Sequence, residues 1–356
     1  MSNCIILKIN SQTENKILTK AEGFANQNIE INENISIVGR KKCGVTGGAF
    51  ISLKDRDSKY YMAKNLFGSN SKKNNYYFPP NAKGAIRAAC LRQTREEVNV
   101  GVMQEFIALR IAKIVNSDII PEANLGEVSG ENKDDKRLFL MTEVLGEKDG
   151  ESFDNFADKK NAKISKDMWK SAFAISVGLL NDQDSNKTDN FGVISNEEKG
   201  NRLGLFDFGH SDPAHFQLDE KTLLPKSTSV LADLLLWIIN LFTSASMIPG
   251  QTFNMPPDVA AKLTPDERKE ALESLVAQKS EILKELENMA TEFNDDKELE
   301  GIIRDFKNKV EKRMSYLETV IDKYEKKQSK ATKGQNGKSN QSRWSRRQSE
   351  KYRTYE

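Results

Sequence analysis

The stretch 180–211, LNDQDSNKTDNFGVISNEEKGNRLGLFDFGHS, limits what this chain can fold into more than any other. An acidic cluster closed by Asp189-Asn190-Phe191-Gly192 is followed by a short polar spacer. After it comes the apolar run 203–206, ending in Asp207-Phe208-Gly209. Val193-Ile194 and residues 203–206 read as short strands, with the spacer as the turn between them. Such a hairpin carries Asn190 at one end and Asp207 at the other, with both oxygen ligands on one edge of a cleft. Metal-dependent phosphoryl transfer uses one carboxylate to orient the attacking hydroxyl, an Asn to hold Mg²⁺ and a second Asp to hold it across the phosphates. All three residue types stand here in that order. Asp-Phe-Gly is a short tripeptide, and Asp/Asn/Ser clusters are ordinary loop composition. The reading therefore depends on what lies upstream.

Upstream, VGRKKCGVTGGAFISL (38–53) reads as strand, turn and strand, with Gly44, Gly47 and Gly48 at the turn. Glycines there let backbone N–H groups approach a phosphate, although a structural hairpin has the same composition. The run YYMAK ends a third strand at Lys64, where an ammonium can reach the α- and β-phosphates. VMQEFIALRIAKIV (102–115) is a strongly periodic helix, with Glu105 among its apolar positions. A carboxylate on a buried stripe is costly unless paired, and Lys64 is its natural partner. Two strands follow, near 123–128 and 138–142. The second runs into Glu143-Val144-Leu145-Gly146, which suits a hinge whose backbone binds an adenine edge. A polar segment, 147–166, then gives way to the helix DMWKSAFAISVGLL.

The residues before Gly44 alternate apolar and polar (Ile5, Leu7, Ile9; Ile29, Ile31, Ile35, Ile37), and 1–37 reads as strands joined by Asn-rich turns. Between Lys64 and the periodic helix, 68–100 is an insertion carrying Lys83, Arg87, Arg92 and Arg95. These basic residues suit an anion site or a solvated helix face.

In this order the residues resemble the protein kinase-like superfamily, in its remote branch. That branch includes HipA-like kinases, type II phosphatidylinositol 4-kinases and secreted effector kinases of intracellular bacteria of the Legionella type. The similarity covers about residues 36–248. It implies an α+β, two-lobed protein kinase-like fold, with a strand-rich small lobe over 1–143 and a helical large lobe over 144–262. It also implies ATP and Mg²⁺ as cofactors. Lys64 resembles the phosphate-binding strand lysine and Glu105 its helix partner, while Asn190 and Asp207 resemble the two metal ligands. The family's catalytic Asp stands five residues before the Asn, where this chain has Ser185. A one-residue loop expansion makes Asp184 the base, with Asp182 as second choice. The loop lacks His-Arg-Asp, and no Ala-Pro-Glu follows Asp-Phe-Gly, which argues against conventional activation-loop control.

The activity so implied is transfer of the ATP γ-phosphate to a protein Ser/Thr hydroxyl. A phosphoinositide kinase is the alternative, and a catalytically dead membrane-binding scaffold the rival from another class. Some effector kinases of the resembled group use a host inositol polyphosphate as activator, so Lys83, Arg87, Arg92 and Arg95 are the residues expected to take inositol hexakisphosphate.

Beyond the lobes, Thr264-Pro265-Asp266-Glu267 is a capping box with Pro at the first helical position. It opens a helix expected to run to about Glu292, and a polar break at 294–296 separates this from a second helix to about Lys327. The hairpin 263–328 reads as a structural appendage. From Lys326 onward there are ten Lys/Arg against two Asp/Glu, while the rest of the chain is acidic. The tail 329–356 lacks periodicity and reads as a disordered basic segment that suits an anionic phosphoinositide membrane better than nucleic acid. Three cysteines without paired spacing imply a reducing compartment. The N-terminus has no secretory signal pattern, and the apolar run 231–248 carries Asp233 and Asn240, which favours a buried helix over a membrane span. The expectation is a cytoplasmic protein, or one delivered to a host cytosol and peripheral at membranes.

Overall fold

Ile35 and Ile37, then Ala49, Ile51 and Leu53, then Tyr61 and Ala63 recur at every second position. All are buried on one face of a sheet, which is what the two-residue period of a strand produces. The computed structural model describes residues 4–22, 29–40, 48–54, 59–66, 95–129, 136–146, 151–156, 158–159, 162–181, 190–198, 200–209, 211, 213–214 and 262–351. The fold is α+β, with a curled strand-rich sheet and helices in the C-terminal part. Strands β1 (Ile5–Asn10), β2 (Ile29–Glu30), β3 (Ile35–Arg40), β4 (Gly48–Leu53), β5 (Lys59–Lys64), β6 (Ala123–Ser129) and β7 (Lys136–Glu143) form one sheet. Their order is β1-β6-β7-β5-β4-β3-β2. Strand β1 lies parallel to β6, and the other neighbours are antiparallel.

The N-terminal region differs from the strand-and-turn expectation. Helix α1 (Ser11–Glu22) follows β1 directly, because Asn10 accepts the Thr13 N–H at 2.8 Å and so caps it. Ile17 of α1 is buried in the same core as Ile35 and Ile51. Helix α2 (Arg95–Val115) covers the opposite sheet face, packing on β7 and β6. Val102, Phe106 and Leu109 recur at helical spacing and are buried there with Leu125 and Leu140. Two cores therefore lie on the two faces of one sheet.

A second sheet has the order β10-β9-β8, built from β8 (Glu151–Asn155), β9 (Phe191–Asn196) and β10 (Gly200–Leu205), antiparallel throughout. The β9–β10 hairpin is the one expected from the sequence, whereas β8 falls in the polar segment 147–166, where no strand was expected. Helix α3 (Lys166–Phe173) is capped by the Ser165 hydroxyl, which accepts the Met168 N–H at 3.3 Å, and continues as a π-helical turn, Ala174–Leu179.

The capping box is formed as the sequence requires. Thr264 Oγ1 accepts the Glu267 N–H at 3.2 Å, and the Thr264 N–H donates to the Glu267 carboxylate at 2.7 Å. The helix it opens is broken once, at Gln278 (φ −89°, ψ 3°), into α4 (Pro265–Ala277) and α5 (Lys279–Glu292). Helix α6 (Lys297–Lys351) continues past Lys327, through most of the segment expected to lack regular structure. These helices are not packed apart from the rest. Leu272, Leu275, Leu286, Phe306 and Leu317 share one core with Phe106, Trp169 and Phe191. Among the described residues no helix is long and apolar enough to cross a membrane, and 231–248 lies outside them.

Candidate active site

Lys64 ends β5, the strand between β4 and β7, on the sheet face that α2 covers. Its Nζ donates to Glu105 Oε1 of α2 at 2.5 Å and to Asp207 Oδ1, two residues past β10, at 3.0 Å. The pair inferred from a carboxylate on a buried helical stripe is thus formed. The Lys64 and Glu105 side chains are only 10% and 8% exposed, whereas that of Asp207 is 50% exposed. One side of the cluster is closed and the other faces outward.

The hairpin explains how Asn190 joins them. Leu205 pairs with Phe191, and the Phe206 N–H donates to the Asn190 carbonyl at 3.3 Å, so Asn190 and Asp207 emerge together at the open end. The Asn190 amide then reaches the Asp207 carbonyl oxygen at 3.5 Å. Asp207 has φ 68°, a left-handed backbone that costs a non-glycine residue about 1–3 kcal/mol and that concentrates at functional sites. Next in the chain, the Phe208 side chain is buried in the main core and anchors this turn.

Burial acts to lower the Lys64 pKa. Attraction to Glu105 and then Asp207 outweighs it, so the ammonium titrates above its ordinary 10.5. Because the folded pKa is the raised one, the stabilisation is complete below pH 10.5 and is lost only as the pH rises through the folded value. Removing one partner of a buried pair leaves an uncompensated charge. Lys64→Ala or Glu105→Ala alone should therefore lower the unfolding free energy by about 3–5 kcal/mol in urea titrations, and Lys64→Met with Glu105→Leu should recover most of it. Single variants as stable as the wild type would contradict the pairing.

Gly48 stands opposite Lys64 in the β4–β5 register, and a Cβ there would run into the Ala63 carbonyl oxygen. Close strand contact already requires its glycine, whatever it does for a phosphate. Gly44 and Gly47 lie outside the described residues. Glu143 ends β7. Its N–H donates to the Glu122 carbonyl at 2.9 Å and that of Val144 to the Tyr60 carbonyl at 3.0 Å, so these two N–H groups of the expected hinge are engaged within the protein. Asp182, Asp184, Lys83, Arg87 and Arg92 also lie outside the described residues, and Arg95 is the first residue of α2.

Sequence reasoning passed over Phe153 of β8. Among the described residues it is the large hydrophobic side chain that stands exposed, at 40%. Its ring occupies the space a Gly192 side chain would take and tilts against Phe206 at 5.7 Å, directly before Asp207. Met62 and the facing Phe50 are half-buried on the same side of the large sheet as Lys64. The only signal in the sequence was an aromatic residue within a polar segment.

The half-exposed Asp207 carboxylate and the Asn190 amide at one edge are hard oxygen donors that suit Mg²⁺. Among the described residues no cluster of three or more His, Cys, Asp or Glu could hold a metal. A magnesium ion at this edge would therefore be completed by phosphate and water oxygens, which is how that ion is usually held. The chain matches no protein-family model and no curated protein sequence.

Proposed function

We propose that this chain is an atypical kinase of the remote protein kinase-like type, transferring the γ-phosphate of ATP to a hydroxyl group, with a protein Ser or Thr side chain as acceptor. The observation that carries the reading is the Lys64 ammonium held at once by Glu105 of α2 and by Asp207 beyond β10, with Asn190 bonded to the Asp207 backbone. A buried lysine fixed by one carboxylate, with a second, exposed carboxylate beside an Asn, is the set of groups that kinase-type phosphoryl transfer uses. In this reading Glu105 orients Lys64 toward the α- and β-phosphates, and Asp207 and Asn190 hold Mg²⁺, which neutralises charge on the transferring group. Asp184 is the proposed residue that orients the acceptor hydroxyl. Phe153 and Phe206 give a nucleotide base an apolar surface beside Asp207.

The test is ATP turnover with Mg²⁺ by the full chain, with protein and phosphoinositide acceptors in separate arms, each with and without inositol hexakisphosphate. The expected result is Mg²⁺-dependent transfer to a protein hydroxyl. Absence of both ATP binding by calorimetry and turnover in every arm would overturn the proposal, and transfer to the lipid alone would change the acceptor. Stimulation by inositol hexakisphosphate is the outcome expected if the basic insertion serves as an activator site.

A further inference from the structure

Arg313 lies in the first third of α6 and has no exposed surface. Its Nε donates to the Gly178 carbonyl at 2.7 Å, and one terminal nitrogen donates to the Val177 carbonyl at 2.7 Å. Both acceptors belong to the π-helical turn that ends α3, where the last carbonyls of a helix have no partners of their own. The other terminal nitrogen is buried without a hydrogen-bond partner among the described residues. Burial pulls the guanidinium pKa down to about 10, an effect the nearby Tyr316 partly opposes, so the group stays charged at neutral pH.

Packing alone does not call for this residue. The helices around the turn already touch its backbone. A Cβ on Gly178 would lie 2.8 Å from Leu275 Cδ2 and 3.0 Å from Leu272 Cδ2. A buried cation with no carboxylate partner among the described residues is costly, so its place here is explained by what it binds. What the guanidinium supplies instead is direction, because its rigid fork fixes two successive carbonyls relative to α6. A cation is also favoured at the negative end of a helix. The turn it holds leads through Leu180, fully buried, to Asn181, buried at φ 45°. From Asn181 the chain runs on to Asn190. Π-helical turns inside helices recur at functional sites.

We infer that Arg313 is a positioning residue for the active site, fixing where α3 ends and thus where the chain between Asn181 and Asn190 begins. The inference rests on the kinase reading for its effect on catalysis, but not for its effect on the turn.

The experiment compares full-length wild type, Arg313→Met and Arg313→Lys by thermal unfolding, amide hydrogen exchange over 177–181, and kcat and KM for ATP. Arg313→Met strips the buried Val177 and Gly178 carbonyls of their donor, so it should unfold cooperatively but below the wild-type temperature, with the fastest gain in exchange at 177–181. Its kcat should fall on the order of a hundredfold, the loss that a misplacement of about 1 Å brings. KM for ATP should hold, because Lys64, Phe153 and Asp207 are untouched. Arg313→Lys, which keeps the charge but gathers its donors on one nitrogen and loses the fork, should lie between the two, and it carries the comparison if the Met variant fails to fold. Unchanged exchange at 177–181, or faster exchange with wild-type kcat, overturns the inference. A wild type that turns over no ATP sinks the kinase reading, and the exchange data then decide by themselves whether Arg313 holds the turn.

Discussion

Asp207→Ala should reduce ATP turnover by on the order of a thousandfold, equivalent to about 4 kcal/mol in the transition state. The geometry makes this variant readable, because the Asp207 side chain is half exposed. Its removal leaves Lys64 with Glu105 at 2.5 Å, so no buried charge is stranded. The backbone needs a control. At φ 68° Ala is less at ease than Asp or Asn, so Asp207→Asn serves as companion, keeping the shape while removing the charge. Both should unfold near the wild-type temperature, and both should lose the Mg²⁺ dependence of nucleotide binding. Turnover within tenfold of wild type in Asp207→Ala would remove Asp207 from the metal site and the kinase reading with it.

The parts of this arrangement that were legible in the sequence are those whose determinants are local or obligatory. The β9–β10 hairpin needs only two short apolar runs and a polar turn, and it delivers Asn190 and Asp207 to one edge whatever surrounds it. The Lys64–Glu105 pair was legible for a different reason. Glu105 sits on the buried stripe of a periodic helix, and a carboxylate there needs a cation wherever that cation stands in the chain. The capping box at Thr264 is again local.

The features that escaped the sequence depend on partners distant along the chain. The segment ESFDN has no alternation of its own and becomes β8 because β9 offers it an edge. Helix α1 was hidden because Asn10, read as a turn residue, acts as a cap. Nothing local in the sequence singles out Arg313, because its acceptors lie 135 and 136 residues away. The break at Gln278 falls inside a run whose leucine spacing continues on both sides of it.

Ending the chain at residue 262 should abolish cooperative folding, while ending it at 330 should leave thermal unfolding nearly unchanged. Helices α4 to α6 bury Leu272, Leu275, Leu286, Ile303, Phe306 and Leu317 in the core that also holds Phe106 of α2 and Trp169 of α3. Each such side chain contributes about 1.5–3 kcal/mol by burial, so these six together match or exceed the roughly 5–15 kcal/mol by which a domain is stable. Polar ties across the same boundary would go as well. Arg110 of α2 pairs with Glu285 of α5, and the Cys4 N–H and Sγ both donate to the Glu292 carboxylate at 3.0 Å. From Glu325 to Lys330 the α6 side chains are exposed, so the core is already closed before the shorter truncation point is reached. Limited proteolysis and thermal unfolding of the two truncated chains measure the difference. A soluble 1–262 fragment melting cooperatively within about 5 °C of the full chain, a shift that corresponds to roughly 1–2 kcal/mol, would show that the C-terminal helices are dispensable. It would also leave Arg313 with nothing to position.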